Sequence, residues 1–152
     1  MRTSKFIINL FLICSSFLFG QNALSLLDNG DGTWNIDYVS DAAMTNFQFT
    51  VDGATILSAS GGEAEDTGFF SVPDVVSISE GSITTNNFIG ASIPSGSGAL
   101  LVLTVDGTPT SLSSILVTDS VGEDLSFSYD DGSACMDESA CNYDLEATLA
   151  CD

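Results

Sequence analysis

The chain has 152 residues, of which 21 are Asp or Glu, only two are Lys or Arg and none is His, giving a formal charge of −19 at pH 7. With no His, and no Lys beyond the first few residues, there is no imidazole base, no Ser-His-Asp relay and no lysine Schiff base. Without cationic side chains nothing clamps a phosphate or displaces counterions from nucleic acid, so phosphoryl transfer and nucleic-acid binding are excluded.

Arg2 and Lys5 are the two basic residues, and they precede an apolar run from Phe6 to Ile13 that resumes at Phe17-Leu18-Phe19. A positive start, a short apolar stretch broken by Ser15-Ser16, and the small-then-polar pair Gly20-Gln21 have the order of a cleaved export signal, residues 1–20. The run falls short of the about 20 continuous apolar residues that a membrane-spanning helix needs. No acidic residue lies in that segment, so its removal leaves a charge of 0 − 21 = −21 and no possible side-chain salt bridge. The mature protein is expected to be secreted or held at the cell surface. Its self-repulsion suits a saline medium, where the Debye length shrinks to a few ångströms.

Beyond the signal, 44% hydrophobic content over the whole chain points to a folded domain rather than an acidic disordered tail. Ala23 to Leu27 reads as a first strand. In Thr33 to Val39, Trp34, Ile36 and Tyr38 alternate with Asn35 and Asp37, the period of a strand buried on one side. That alternation assigns Trp34 to core packing rather than to an exposed sugar-stacking strip. Phe47, Phe49 and Val51 repeat the pattern, followed by Ala54 to Ala59, Val75 to Ser79, Ile83 to Ala91, Leu100 to Val105, Ser114 to Thr118, and Leu125 to Tyr129. Turn signals separate them, among them Asp52-Gly53, Gly61-Gly62, Glu80-Gly81 and Asp106-Gly107. About nine short strands without helical spacing predict an all-β, antiparallel, jelly-roll-like β-sandwich over residues 21–131. The remaining residues, 132–152, form a separate tail.

Carboxylates are the only charged chemistry left. Hard cations take oxygen ligands, so calcium is the cofactor the composition favours. Asp28-Asn29-Gly30-Asp31-Gly32 has the look of a calcium loop, with Asp28 and Asp31 as ligands, but the twelfth place holds Val39 where an EF-hand needs an acid. A tight hairpin turn is the favoured reading of the same residues. A second candidate joins Asp130 and Asp131 to Asp137, Glu138 and Asp144 of the tail. Glu63, Glu65, Asp66 and Glu80 are the candidates for a two-carboxylate glycosidase. In an exported chain Cys135 and Cys141 are placed to close a short disulfide loop, leaving Cys151 unpaired or bonded to another chain.

Asn46-Phe47-Gln48-Phe49-Thr50-Val51, then Ala54-Thr55-Ile56-Leu57-Ser58-Ala59-Ser60 and Gly98-Ala99-Leu100-Leu101-Val102-Leu103-Thr104-Val105, resemble strands that recur in this order in the cohesin family. Ile115 to Glu123 resembles that family's late L-x-D-x-x-G segment. The resemblance spans Ala23 to Tyr129. It implies a nine-stranded jelly-roll sandwich, related to carbohydrate-binding modules, that docks a partner without catalysis; the best-known members bind dockerins. Cys135 to Thr148 resembles a different module, the C-x5-C-N-Y-D-P-x-A-T repeat of large secreted bacterial surface proteins, with Leu145 in place of the usual Pro. The expectation is a non-catalytic extracellular binding or adhesion module whose partner is a protein or polysaccharide. A calcium-stabilised spacer of a larger surface protein is the alternative, and a small glycosidase the third reading.

Overall fold

A computed structural model describes residues 22–70, 76–79, 81–86 and 90–132. The export signal with its boundary after residue 20, Glu80, Asp137, Glu138, Asp144 and the cysteines Cys135, Cys141 and Cys151 lie outside the described residues. The described chain forms strands β1 (Ala23–Asp28), β2 (Thr33–Ser40), β3 (Asn46–Ser60), β4 (Val76–Ser79), β5 (Ser82–Thr85), β6 (Gly96–Thr118) and β7 (Ser128–Asp130), with one short helix, α1 (Gly62–Asp66). All seven strands join one sheet in the order β4-β5-β3-β6-β2-β1-β7. The all-β class holds.

Seven strands stand where nine were expected because two of the turn signals do not turn the chain. Phe47–Val51 and Ala54–Ala59 run on as β3, and Leu100–Val105 and Ser114–Thr118 run on as β6. β3 pairs from Asn46 to Ser60 with the Val102–Thr118 part of β6, and the register shifts between Asp52 and Ala54 where Ala54 faces Gly107. Gly53 and Gly107 take positive φ values of 84° and 105°. A Cβ on Gly53 would stand 2.7 Å from the Thr108 carbonyl oxygen, and one on Gly107 would stand 2.9 Å from that of Gly53. Two glycines side by side on adjacent strands therefore make a shared crease, since only glycine tolerates both the backbone conformation and the close approach.

The crease divides the sheet into two packed layers. In the first, the Gly96–Thr104 half of β6 pairs with β2, which pairs with β1. In the second, the Ser111–Thr118 half pairs with the start of β3, which pairs with β5. Inward residues of both layers, Leu24, Ile36, Tyr38, Leu101 and Leu103 from one and Phe47, Phe49, Val51, Ile83 and Val117 from the other, form a single core cluster. The antiparallel rule has one exception, β1 with β7, which run parallel with Ala23 opposite Ser128. Asn22 secures that junction: its Nδ2 donates to the Leu125 carbonyl at 2.6 Å, its Oδ1 accepts from the Asp41 amide at 2.8 Å and its own carbonyl accepts from Ser128 at 3.0 Å.

Helix α1 was not visible as a period because it is a single turn. Its carboxylate Glu65 Oε2 accepts the Gly61 amide at 2.6 Å, Ala64 is buried, and Phe69 just beyond it is fully buried against Phe47 with ring centroids 5.5 Å apart. Gly62 lets the helix lie on β6, since a Cβ there would stand 2.6 Å from the carbonyl oxygens of Ala99 and Leu100.

Candidate functional site

The sequence candidates fall in three places. Asp28 and Asp31 sit in the β1–β2 turn, where each carboxylate serves the turn itself. Asp28 Oδ1 accepts the Gly30 amide at 2.8 Å, and Asp31 Oδ1 accepts the Thr33 amide at 3.0 Å and its hydroxyl at 2.6 Å. The Thr33 hydroxyl first, and its amide second, hold Asp31 below the usual carboxylate range. Asp130 Oδ1 accepts the Gly132 amide at 3.0 Å. The parallel register sets Asp130 opposite Ser25, three residues short of Asp28, so both acidic groups lie toward one end of the sheet. Among the described residues, no three Asp, Glu, His or Cys side chains gather closely enough to hold a metal ion. Burial first, then the charges of Asp131 and Asp130, raise the Tyr129 phenol above its ordinary value.

Glu63, Glu65 and Asp66 share the one turn of α1. Carboxylates of a single turn do not oppose each other across a substrate, as a glycosidase pair must. Trp34 shares the inward side of β2 with Ile36 and Tyr38 but is only half-buried and falls outside the core cluster. It faces Asp28 on one side and Leu103 on the other, next to the turn, at the end of the strand. Among the described residues, the large hydrophobic residues that are exposed are Leu27, Val39, Leu57, Ile78, Leu116 and Val121, all aliphatic. No described aromatic ring stands fully exposed as a platform for sugar stacking.

The outer sides of the two layers differ in how their carboxylates are held. On the first, Asp37 projects from the middle of β2, opposite Ser25 of β1 and Ala99 of β6. Desolvation lifts its carboxyl above the ordinary value, and no hydrogen-bond partner offsets the effect. A raised folded-state value means that the ionised form costs stability above that value, and the cost fades as the pH falls through it. Asp37→Asn is therefore expected to raise the melting temperature slightly at neutral pH and to make no difference in acid; equal melting at both pH values would remove this account of Asp37.

Among the described residues, the outward side chains of β3, β5 and the Ser111–Thr118 stretch of β6 include one carboxylate, Asp52, and Asp124 stands at the rim of this face, opposite Thr118. Along β3 the outward residues are Asn46, Gln48, Thr50 and Asp52; β5 adds Ser82 and Thr84, and β6 adds Ser111, Ser113, Leu116 and Thr118. These side chains are tied across the strands. Thr50 Oγ1 and Ser82 Oγ are 2.8 Å apart, Ser111 donates to Asp52 Oδ2 at 2.8 Å and Ser113 to Asp52 Oδ1 at 3.0 Å. Leu116, opposite Gln48, is exposed in the midst of them. Period-two alternation made the outward side of β3 legible as polar, but its continuation across β5 and β6 became visible only once the Asp52-Gly53 turn proved to be a crease.

No helix of the described residues is long and apolar enough to cross a membrane. No protein-family model and no curated protein matches the chain. Among solved structures it is similar to a chain of the CaDoc0917–CaCohA2 complex, a dockerin–cohesin pair, with 15% sequence identity and a TM-score of 0.46 over 72% of this chain and 94% of that one.

Proposed function

We propose that this chain is a non-catalytic, exported binding module that docks a protein partner on the outer face of the β6–β3–β5 layer. The observation that carries this reading is a tied polar face. On a chain of −21 after signal removal, the outward side chains of β3, β5 and the Ser111–Thr118 stretch of β6 include, among the described residues, a single carboxylate, and two hydroxyls hold it in place. A face of fixed hydroxyls and amides around one exposed leucine offers hydrogen bonds and an apolar contact at little ordering cost. A protein is favoured over a polysaccharide because the exposed hydrophobic residues are aliphatic and supply no stacking surface.

The test uses two surface variants of the full chain as bait for extracellular proteins, Leu116→Arg on the proposed face and Val39→Arg on the opposite layer. A specific partner is expected to be retained by the wild type and by Val39→Arg, and lost by about tenfold or more with Leu116→Arg, because an interface centre tolerates a buried unpaired charge poorly. Equal loss with Val39→Arg would move the interface elsewhere. If no variant binds and calcium raises the melting temperature over EDTA at high salt, the calcium-stabilised spacer replaces this reading, with Asp28, Asp31, Asp130 and Asp131 as the residues to mutate.

A further inference from the structure

The chain contains one Asn-Gly bond, Asn29-Gly30, and it lies in the exposed β1–β2 turn. Asn-Gly is the dipeptide most open to succinimide chemistry, because glycine places no side chain in the way of its own nitrogen. The Gly30 nitrogen attacks Asn29 Cγ, the Cγ–Nδ2 bond breaks, and Nδ2 leaves as ammonia with the proton given up by Gly30. Water then opens the ring at either carbonyl, giving aspartate or isoaspartate at position 29.

In the folded turn every group in that reaction is committed elsewhere. The leaving nitrogen, Asn29 Nδ2, donates to Thr33 Oγ1 at 3.0 Å and to Asn35 Oδ1 at 2.9 Å. The attacking nitrogen, Gly30 N, directs its hydrogen at Asp28 Oδ1, 2.8 Å away, and an adjacent carboxylate opposes the loss of that proton. The Asn29 amide donates to the Thr33 carbonyl at 3.1 Å, so the backbone is closed as well. Steric crowding plays no part, since nothing stands within 4 Å of where a Gly30 Cβ would be.

We propose that Asn29 is a deamidation site that the hydrogen-bonded hairpin turn holds shut. The product removes both Nδ2 donors and adds a negative charge beside Asp28 and Asp31, so one conversion weakens the turn that suppressed it. Asn35 and Thr33 are the positioning residues, since they hold the amide without taking part in bond making.

The experiment follows the mass increase of amide-to-acid conversion, and the isoaspartate content, in the chymotryptic peptide that carries Asn29. The full chain is incubated in mildly alkaline buffer, folded in one arm and unfolded in urea in another. The folded wild type is expected to convert at least roughly tenfold more slowly than the unfolded chain, because the reaction must wait for local opening. Asn35→Ala and Thr33→Val, with folding confirmed by thermal melting, are expected to move the folded rate toward the unfolded one. Equal rates for folded and unfolded wild type would overturn the proposal without any mutation. A folded Asn35→Ala chain that converts no faster than the wild type would overturn the role given to the amide's hydrogen bonds.

Discussion

Replacing Phe47 by alanine is expected to cost about 3–5 kcal/mol, the range for emptying a large aromatic position in a packed core. Phe47 lies at the start of β3 with 1% of its surface exposed. Its ring stacks on Phe49 with centroids 6.3 Å apart and meets the tilted ring of Phe69 at 5.5 Å. The position therefore joins the second layer to the segment that follows α1. Domains of this size are stable by only about 5–15 kcal/mol, so urea denaturation should show the midpoint lowered by a large fraction, best measured at high salt where charge repulsion is screened. A loss below about 1 kcal/mol, the usual effect of a change outside a packed core, would mean that the three rings do not form one packed unit.

Thr85→Val is the second large effect. Thr85 ends β5 and is 5% exposed, and its hydroxyl does the work of a ladder position: Oγ1 accepts the Phe47 amide at 2.7 Å and donates to the Phe47 carbonyl at 3.0 Å. Valine keeps the volume and removes both bonds, leaving a buried N–H and a buried C=O unpaired. Each such group costs about 1–3 kcal/mol, so a loss of about 2–6 kcal/mol is expected from the pair. Thr85→Ser is the control, because it keeps the hydroxyl and forfeits a methyl group. Denaturant unfolding should place the serine variant near the wild type and the valine variant well below it; the reverse order would show that the methyl contact, rather than the hydroxyl, carries the site.

Much of this architecture was legible in alternation. Ile36, Tyr38, Phe47, Phe49 and Val51 all point inward as their period predicted. What escaped was any feature whose signal is shared with another structure. Asp52-Gly53 and Asp106-Gly107 have the composition of hairpin turns, and only their pairing across β3 and β6 turns them into a crease. The role of Thr85 depends on a contact 38 residues away in sequence, which no local pattern reports. Trp34 alternates like a core residue, yet it lies at the end of its strand and beyond the reach of the cluster. For the site, the turn at Asp28–Gly32 was read correctly as a hairpin, whereas the tied polar face could not be read before it was known which strands lie side by side.

The 23-residue strand β6 belongs to both layers, and this has a consequence for how the protein comes apart. A sandwich joined only by loops can lose one sheet while the other persists. Here the rupture of either layer takes out a stretch of the same continuous backbone that the other layer is built on, so neither half is a free-standing intermediate. The two layers of the described sandwich are consequently expected to come apart together, while a turn such as the one between β1 and β2 can still open by itself.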